Sequence, residues 1–374
     1  MQSVDSTISL ATIFSTLTID SAGIANDEYV HLDTDVLVEE ALVSIVENAM
    51  YRERLLYGGI SSKELLRNML LEAPHPNGKR YIALTLHVVA QKGSEEVERL
   101  AKVLLDDFLL PLQAQMSIKN RVDPSSSQTP TIDDTASNTE SAEQREQREL
   151  SKSLFIREEG RCAITHSLDP SLVPENDKEV VDGVSLLEAA HILPFALNTN
   201  NFTDPTLAGT RTTWHIFKNW TGIDLDSLVI REKINTSSNA ILMNISDLQA
   251  QFAKFKIWFE PIPGHENHYT VKTSRRVRLL NGKVNAIARF RSREDSSGGI
   301  ELPDPAFLRI HAALAKVLHA CGAVDVFDEW ERDFRQGGGV LVTDKQSMVW
   351  VNARLNLIPV TKYNEKGEKG MVGT

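Results

Sequence analysis

Apolar residues recur at helical spacing through the first third of the chain. Val36, Leu37, Ala41, Leu42, Ile45, Val46 and Met50 fall on one side of VLVEEALVSIVENAMYRERLL. That stripe predicts an amphipathic helix wide enough to bury against a partner. Gly58 and Gly59 are stop signals, and Ser61 is a candidate cap for a second helix over SSKELLRNMLLEA. A third helix is predicted from Lys79 through Val89 and a fourth from Ser94 through Leu109. Pro111 is expected to end or kink the fourth, because proline lacks an N–H and crowds the preceding turn.

The pattern changes after residue 122. Residues 123–141 read DPSSSQTPTIDDTASNTES, with Ile132 as the only long apolar side chain. Such a stretch cannot repay the entropy of ordering its backbone, so it reads as a linker. AEQREQRELSKSLFIREEG is charged but carries Leu150, Leu154 and Phe155 near helical spacing, which predicts a helix leading into a second unit. RCAITHS is then expected as a short strand with Cys162 and Ile164 on one face. LLEAAHILPF and NAILMN are short buried strands, with a helix around TTWHIFKNW between them. SDLQAQFAKF is a short helix, where Ser246 and Gln249 have the spacing of a capping box. Trp258 and Phe259 open an extended region, HYTVKT alternates, and RRVRLLNGKVNAIARF places an Asn281–Gly282 turn between two apolar runs, predicting a hairpin. In the C-terminal part, Asp304 caps, Pro305 takes the first turn and Gly322 ends a helix whose face is Phe307, Ile310, Leu314, Val317 and Leu318. A last helix covers VDVFDEWERDF, and EKGEKGMVGT is expected to fray.

Composition narrows the classes. Hydrophobic residues make up 41% of 374, enough for sizeable cores and against a wholly disordered chain. Only Cys162 and Cys321 are present, which excludes a disulfide scaffold and a four-cysteine zinc site. No apolar run is long enough to span a membrane, and the polar start lacks the features of an export signal, so an intracellular protein of nucleus or cytoplasm is expected. The net charge of −11 argues against a surface that coats nucleic acid as a whole. The charge is uneven, however. Residues 231–300 hold 12 Lys/Arg against 6 Asp/Glu, a local +6 that leaves −17 for the remainder. Arg275, Arg276, Arg278 and Lys283, followed by Arg289, Arg291 and Arg293, crowd the predicted hairpin. A basic ribbon of this kind meets a DNA phosphate backbone, or it matches the acidic N-terminal domain of the same chain.

Candidate chemistry lies between residues 161 and 260. In order come Cys162-Ala-Ile-Thr165, Glu188-Ala-Ala-His191-Ile-Leu-Pro194, Asn239-Ala-Ile-Leu-Met243 and Asp247-Leu-Gln-Ala-Gln-Phe252. This order resembles the HNH endonuclease family, in the form found in fungal proteins of unknown role. The resemblance extends over about residues 145–330, with Lys256-Ile-Trp-Phe259 and Leu302-Pro-Asp-Pro305 trailing. Taken with the residue pattern, which gives a helical domain at 1–122, a linker at 123–141 and an extension at 337–374, the resemblance implies an α+β chain with an HNH-like ββα-metal domain at 142–336 carrying an added hairpin and C-terminal helices. It further implies metal-dependent hydrolysis of DNA phosphodiesters. His191, at the end of an apolar strand, corresponds to the general base, since a histidine near neutral pKa can take a proton from water. Asn239 corresponds to the residue that holds the His-bearing strand. Asp247 and Gln249 stand where a metal ligand is needed, and the expected cofactor is a divalent ion, Mg²⁺, Mn²⁺, Ni²⁺ or Zn²⁺.

The chain departs from the family pattern at this last point. The family usually has Asp-Leu-His where this sequence has Asp247-Leu248-Gln249, and an amide oxygen is a weak neutral donor. Ala190 precedes His191, where many nucleases of the wider superfamily carry an acidic ligand. Glu188 and Asp247 are the nearest replacements, but Glu188 is three residues from His191 and so on the other face of a strand. Structural roles compete at each position: a satisfied core histidine for His191, a turn-former for Asn239, a helix cap for Gln249 and a dipole partner for Asp247. His265 and His268, and His166, sit in predicted turns without a further ligand in sequence, and the glycines at 337–339 lack the Lys-Ser/Thr of a phosphate loop. Three readings follow: a divalent-metal nuclease, a degenerate HNH fold that binds nucleic acid or a protein partner, and a different enzyme class built on the same scaffold.

Overall fold

The computed structural model describes residues 29, 32–48, 55–119, 142–173, 183–194, 208–224, 227–245, 248–274, 287–291, 293–295 and 298–336. The expected linker at 123–141, the C-terminal extension, Ser246, Asp247 and the Arg275–Lys283 run with its Asn281–Gly282 turn lie outside them.

Helix α1 covers Thr34–Glu40, with the Asp33 carboxylate accepting the Asp35 N–H, and a π-type turn Ala41–Val46 continues it. The expected run to Leu56 therefore ends earlier among the described residues, at Glu47. Helix α2 spans Ser62–Leu71, and Ser61 Oγ accepts the Glu64 N–H at 3.1 Å as its cap. Helix α3 spans Pro76–Ala90. It starts before the predicted Lys79, because His75 Nδ1 accepts the Asn77 N–H and Pro76 fits the first turn. Helix α4 (Ser94–Leu104) widens into a π-type stretch, Leu105–Leu109, and the chain continues as α5 (Leu110–Lys119). Pro111 thus interrupts the ladder without ending the helix.

Helix α6 spans Ala142–Arg157. The expected strand RCAITHS is instead a tight loop: His166 N–H returns to Cys162 O, Cys162 N–H goes to Ser167 O, and His166 takes a left-handed φ of 58°. Cys162 and Ile164 are still buried, so the apolar signal was burial and not strand alternation. Strand β1 is Leu187–His191, α7 is Ala208–Thr221 and α8 is Leu228–Ile234. Asn239 ends a 3-10 turn, Ser237–Asn239, and β2 follows as Ala240–Asn244. Helix α9 spans Leu248–Ala253. Strands β3 (Ile257–Pro261), β4 (His268–Thr273) and β5 (Ile287–Arg289) form an antiparallel sheet in that order, with His268 opposite Arg289 and Thr270 opposite Ile287. The return arm of the expected hairpin therefore pairs with HYT. A small pair, β6 (Arg293–Asp295) and β7 (Gly298–Ile300), precedes α10 (Pro305–Ala320) and α11 (Ala323–Gln336). Asp304 caps α10 with Pro305 in its first turn, and Gly322 after it has φ 82°, as expected from the sequence.

One hydrophobic core runs through both halves, from Leu37 to Trp330. Helix α7 packs on α3 and on the 105–109 turn, and α10 packs on α2 and β3. Trp220 is fully buried, its Nε1–H donates to Met69 O at 2.9 Å, and its ring meets Phe108 edge-on. Gly78 lets α3 approach, since a Cβ there would lie 2.0 Å from Trp220 O. Among the described residues no single helix is long and apolar enough to cross a membrane.

Candidate functional site

Strands β1 and β2 pair antiparallel, Leu187 opposite Asn244 through His191 opposite Ala240. Side chains alternate across such a pair, so each strand face has its own set. One face carries Ala189, Leu242 and Ala240, which pack on Leu150 and Leu154 of α6. His191 is on this face, opposite Ala240. The other face carries Glu188, Ala190, Ile241 and Met243 and meets α9. Two strands covered by a short following helix is the local ββα arrangement that the sequence suggested.

Asn239 is fully buried and closes the end of β1. Its Oδ1 accepts the Leu193 N–H at 2.9 Å, and its Nδ2 donates to Leu193 O at 3.1 Å and Ile234 O at 3.0 Å. Its backbone carbonyl accepts the Ile192 N–H at 2.9 Å. The two residues after His191 are thus held from one point, which fixes the strand end. His191 itself is half-buried, with Nε2 shielded from solvent.

Gln249 is buried in the first turn of α9 and engages the opposite face of β1 from His191. Its Nε2 donates to Ala189 O at 3.3 Å, and its amide is near enough to the Glu188 carboxyl to favour the charged form. Burial pushes the Glu188 carboxyl above its ordinary value, and the Gln249 amide partly offsets this. The amide is therefore committed to β1 and does not serve only as the helix cap that the sequence spacing suggested. Among the described residues, which exclude Asp247, this face offers a poor donor set for a divalent ion. Ala190 offers no donor, Gln249 is neutral and engaged, and Glu188 is one carboxylate. Among the described residues no group of three or more His, Cys, Asp or Glu side chains is placed to hold a metal.

Sequence reasoning assigned no role to Arg157, at the end of α6. Its guanidinium is buried and donates to Ser237 O, Ala240 O and Glu301 O at 2.7, 2.7 and 2.8 Å. It thereby pins the 3-10 turn that presents Asn239. A terminal arginine on a charged helix carries no pattern that announces such burial. Four further histidines are engaged by backbone carbonyls. His265 and His268 Nδ1 atoms meet the carbonyls of Pro263 and Glu266, and His311 and His319 Nε2 atoms meet those of Phe252 and Phe255, tying α10 to the end of α9.

A family model described as HNH endonuclease matches residues 162–260. The match places an HNH-family domain on the β1–β2–α9 unit and its approaches, preceded by a largely helical region that lies outside it. No curated protein and no solved structure matches the chain.

Proposed function

We propose that residues 162–260 act as an HNH-fold module that binds nucleic acid without cutting it, its helix-side metal position closed by Gln249. The observation that carries this reading is the Gln249 amide, turned onto Ala189 O and Glu188 beside a donor-free Ala190. An imidazole at 249 would face Glu188 and offer the nitrogen that Zn²⁺, Ni²⁺ and Mn²⁺ accept. In calorimetric titration, wild type is expected to bind these ions poorly, and Gln249→His to bind at least tenfold more tightly. Wild type is expected to be silent in plasmid nicking. Gln249→His is expected to restore metal binding without nicking, because His191, the candidate base, lies on the other face of β1. The competing nuclease reading is favoured by the way Asn239 fixes the strand end beside His191, and it would use Asp247 as an oxygen donor. Chelator-sensitive nicking by wild type, absent in His191→Ala, would establish that reading and overturn ours.

The basic run supports the nucleic-acid side of the proposal. Arg275, Arg276 and Arg278 each changed to Ala should weaken DNA binding with little sequence dependence. The slope of log affinity against log salt should fall by about one unit for each phosphate no longer neutralised. Wild type that fails to bind DNA at low salt would leave this run as a match for the acidic remainder of the chain.

A further inference from the structure

A cleft of about 520 Å³ lies between the end of α6, the 161–166 loop and β5. It is separate from the face on which Gln249 meets β1. Its lining includes Arg161, Arg289 and Arg291, all exposed, together with Arg157, Glu158, Glu159 and His166, so five basic or imidazole side chains face two carboxylates. Arg161 Nη1 donates to His166 O at 3.1 Å, which holds that side chain across the loop. Phe290 is buried between Arg289 and Arg291 and anchors them. Arg289 and Arg291 form no ion pair with another described residue.

Glu158 offsets less of this charge than its position suggests. Only Oε1 takes the two bonds from Arg157, at 2.9 and 2.7 Å. Oε2 is buried without a hydrogen-bond partner among the described residues. A carboxylate oxygen left so is costly, and burial pushes the group up to about 7. The protonated acid has an O–H to donate, and no donor already serves that oxygen. Three arginines lining one cleft with such a group make a site for an anion with several acceptor oxygens, because guanidinium groups bind phosphate through paired N–H donors. The volume is that of a small-molecule pocket. It suits one nucleotide and is too small for a duplex, whose major groove alone is about 12 Å wide.

We propose that this cleft binds a phosphate-bearing ligand of nucleotide size, its phosphoryl oxygens taken by Arg161, Arg289 and Arg291 over the Glu158 carboxyl. The ligand is either a free nucleotide or one nucleotide of an extended single strand. The assignment deepens the binding-module reading and names what one part of that module would hold.

The full-length protein in chelator is titrated with adenosine monophosphate, adenosine, inorganic phosphate, a short fluorescent single-stranded oligodeoxynucleotide and its duplex. The monophosphate or the single strand is expected to bind at least tenfold more tightly than adenosine or the duplex. The stronger of the two identifies the source. Arg289→Ala with Arg291→Ala should weaken that binding roughly tenfold or more and leave the thermal midpoint in place, since both side chains are exposed. Glu158→Gln, which keeps a donor and the bond to Arg157, should bind at least as well as wild type. Failure of both phosphate ligands to bind, equal binding of adenosine, or affinity indifferent to the double arginine change would overturn the cleft. Chelator-sensitive nicking would instead overturn only the reading of the module as non-cutting, so the two failures are distinguishable.

Discussion

His311 illustrates how a single residue is decided by what surrounds it. It lies in the apolar stretch of α10, fully buried, with its ring stacked on Phe252 at 4.0 Å and its Nε2 against Phe252 O. Burial disfavours the imidazolium and brings the group down to about 3. The unfolded chain accepts that proton first, near pH 6.5. The contribution of neutral His311 is therefore complete above pH 6.5 and is lost as pH falls towards 3. Urea unfolding of wild type minus His311→Gln should give a difference curve that is flat above pH 7 and falls below it, with a slope approaching about 1.4 kcal/mol per pH unit. Asp107 and Glu158, raised by burial to about 6 and about 7, work in the opposite sense and cancel in the difference. A difference curve without slope between pH 4 and 6 would mean that His311 is not buried neutral. The sequence placed His311 on α10 but could not assign it this role, because its partners, Phe252 O and the rings of Phe252 and Phe255, lie more than fifty positions earlier.

At the scale of elements, local chemistry accounts for starts and stops better than for interruptions. Ser61, Asp304, Pro305 and Gly322 do what their types predict, since caps and turn residues act within four positions of themselves. Pro111 does not, and the reason lies elsewhere in the chain. A proline within a helix leaves the carbonyl four residues earlier without its donor. Here that carbonyl belongs to Asp107, in the widened 105–109 turn, and it accepts the hydroxyl of Thr213 from α7. The helix survives because a distant side chain replaces the missing N–H. Thr213→Val should keep the shape and strand the carbonyl, at a loss of roughly 1–3 kcal/mol in denaturant unfolding. A loss within error would show that the widened turn satisfies Asp107 without α7. The strand pair follows the same division. The apolar runs LLEAAHILPF and NAILMN were legible as strands from composition and length. That Gln249 meets the Glu188 face while His191 occupies the other follows only from the register, His191 opposite Ala240. RCAITHS misled because a buried loop and a strand both keep apolar residues in alternate positions, and the His166–Cys162 return bond is a turn that no alternation encodes.

For the whole molecule, the continuous core has a direct consequence. Proteolysis is expected to cut first within 123–141, where the composition is that of a linker, yet the two halves should stay together on gel filtration because Trp220 and α10 are seated in the first half. Gly78→Ala tests that seat, since a Cβ 2.0 Å from the Trp220 carbonyl forces the backbones of α3 and α7 apart. The change should cost about 1–3 kcal/mol and let the nicked halves separate. Full-strength association in Gly78→Ala would mean that the two helices do not touch as described. The sequence by itself determined the helical first third, the strand–strand–helix order of the HNH-like region and the presence of Ala190 and Gln249 within it, because spacing, capping and residue identity are properties of neighbours along the chain. Only the tertiary structure decided that both halves share a core, that Asn239 and buried Arg157 hold the end of the His191 strand, and that Gln249 is spent on β1. Those outcomes depend on contacts between residues tens to more than a hundred positions apart, and no local pattern specifies which distant group will supply a donor.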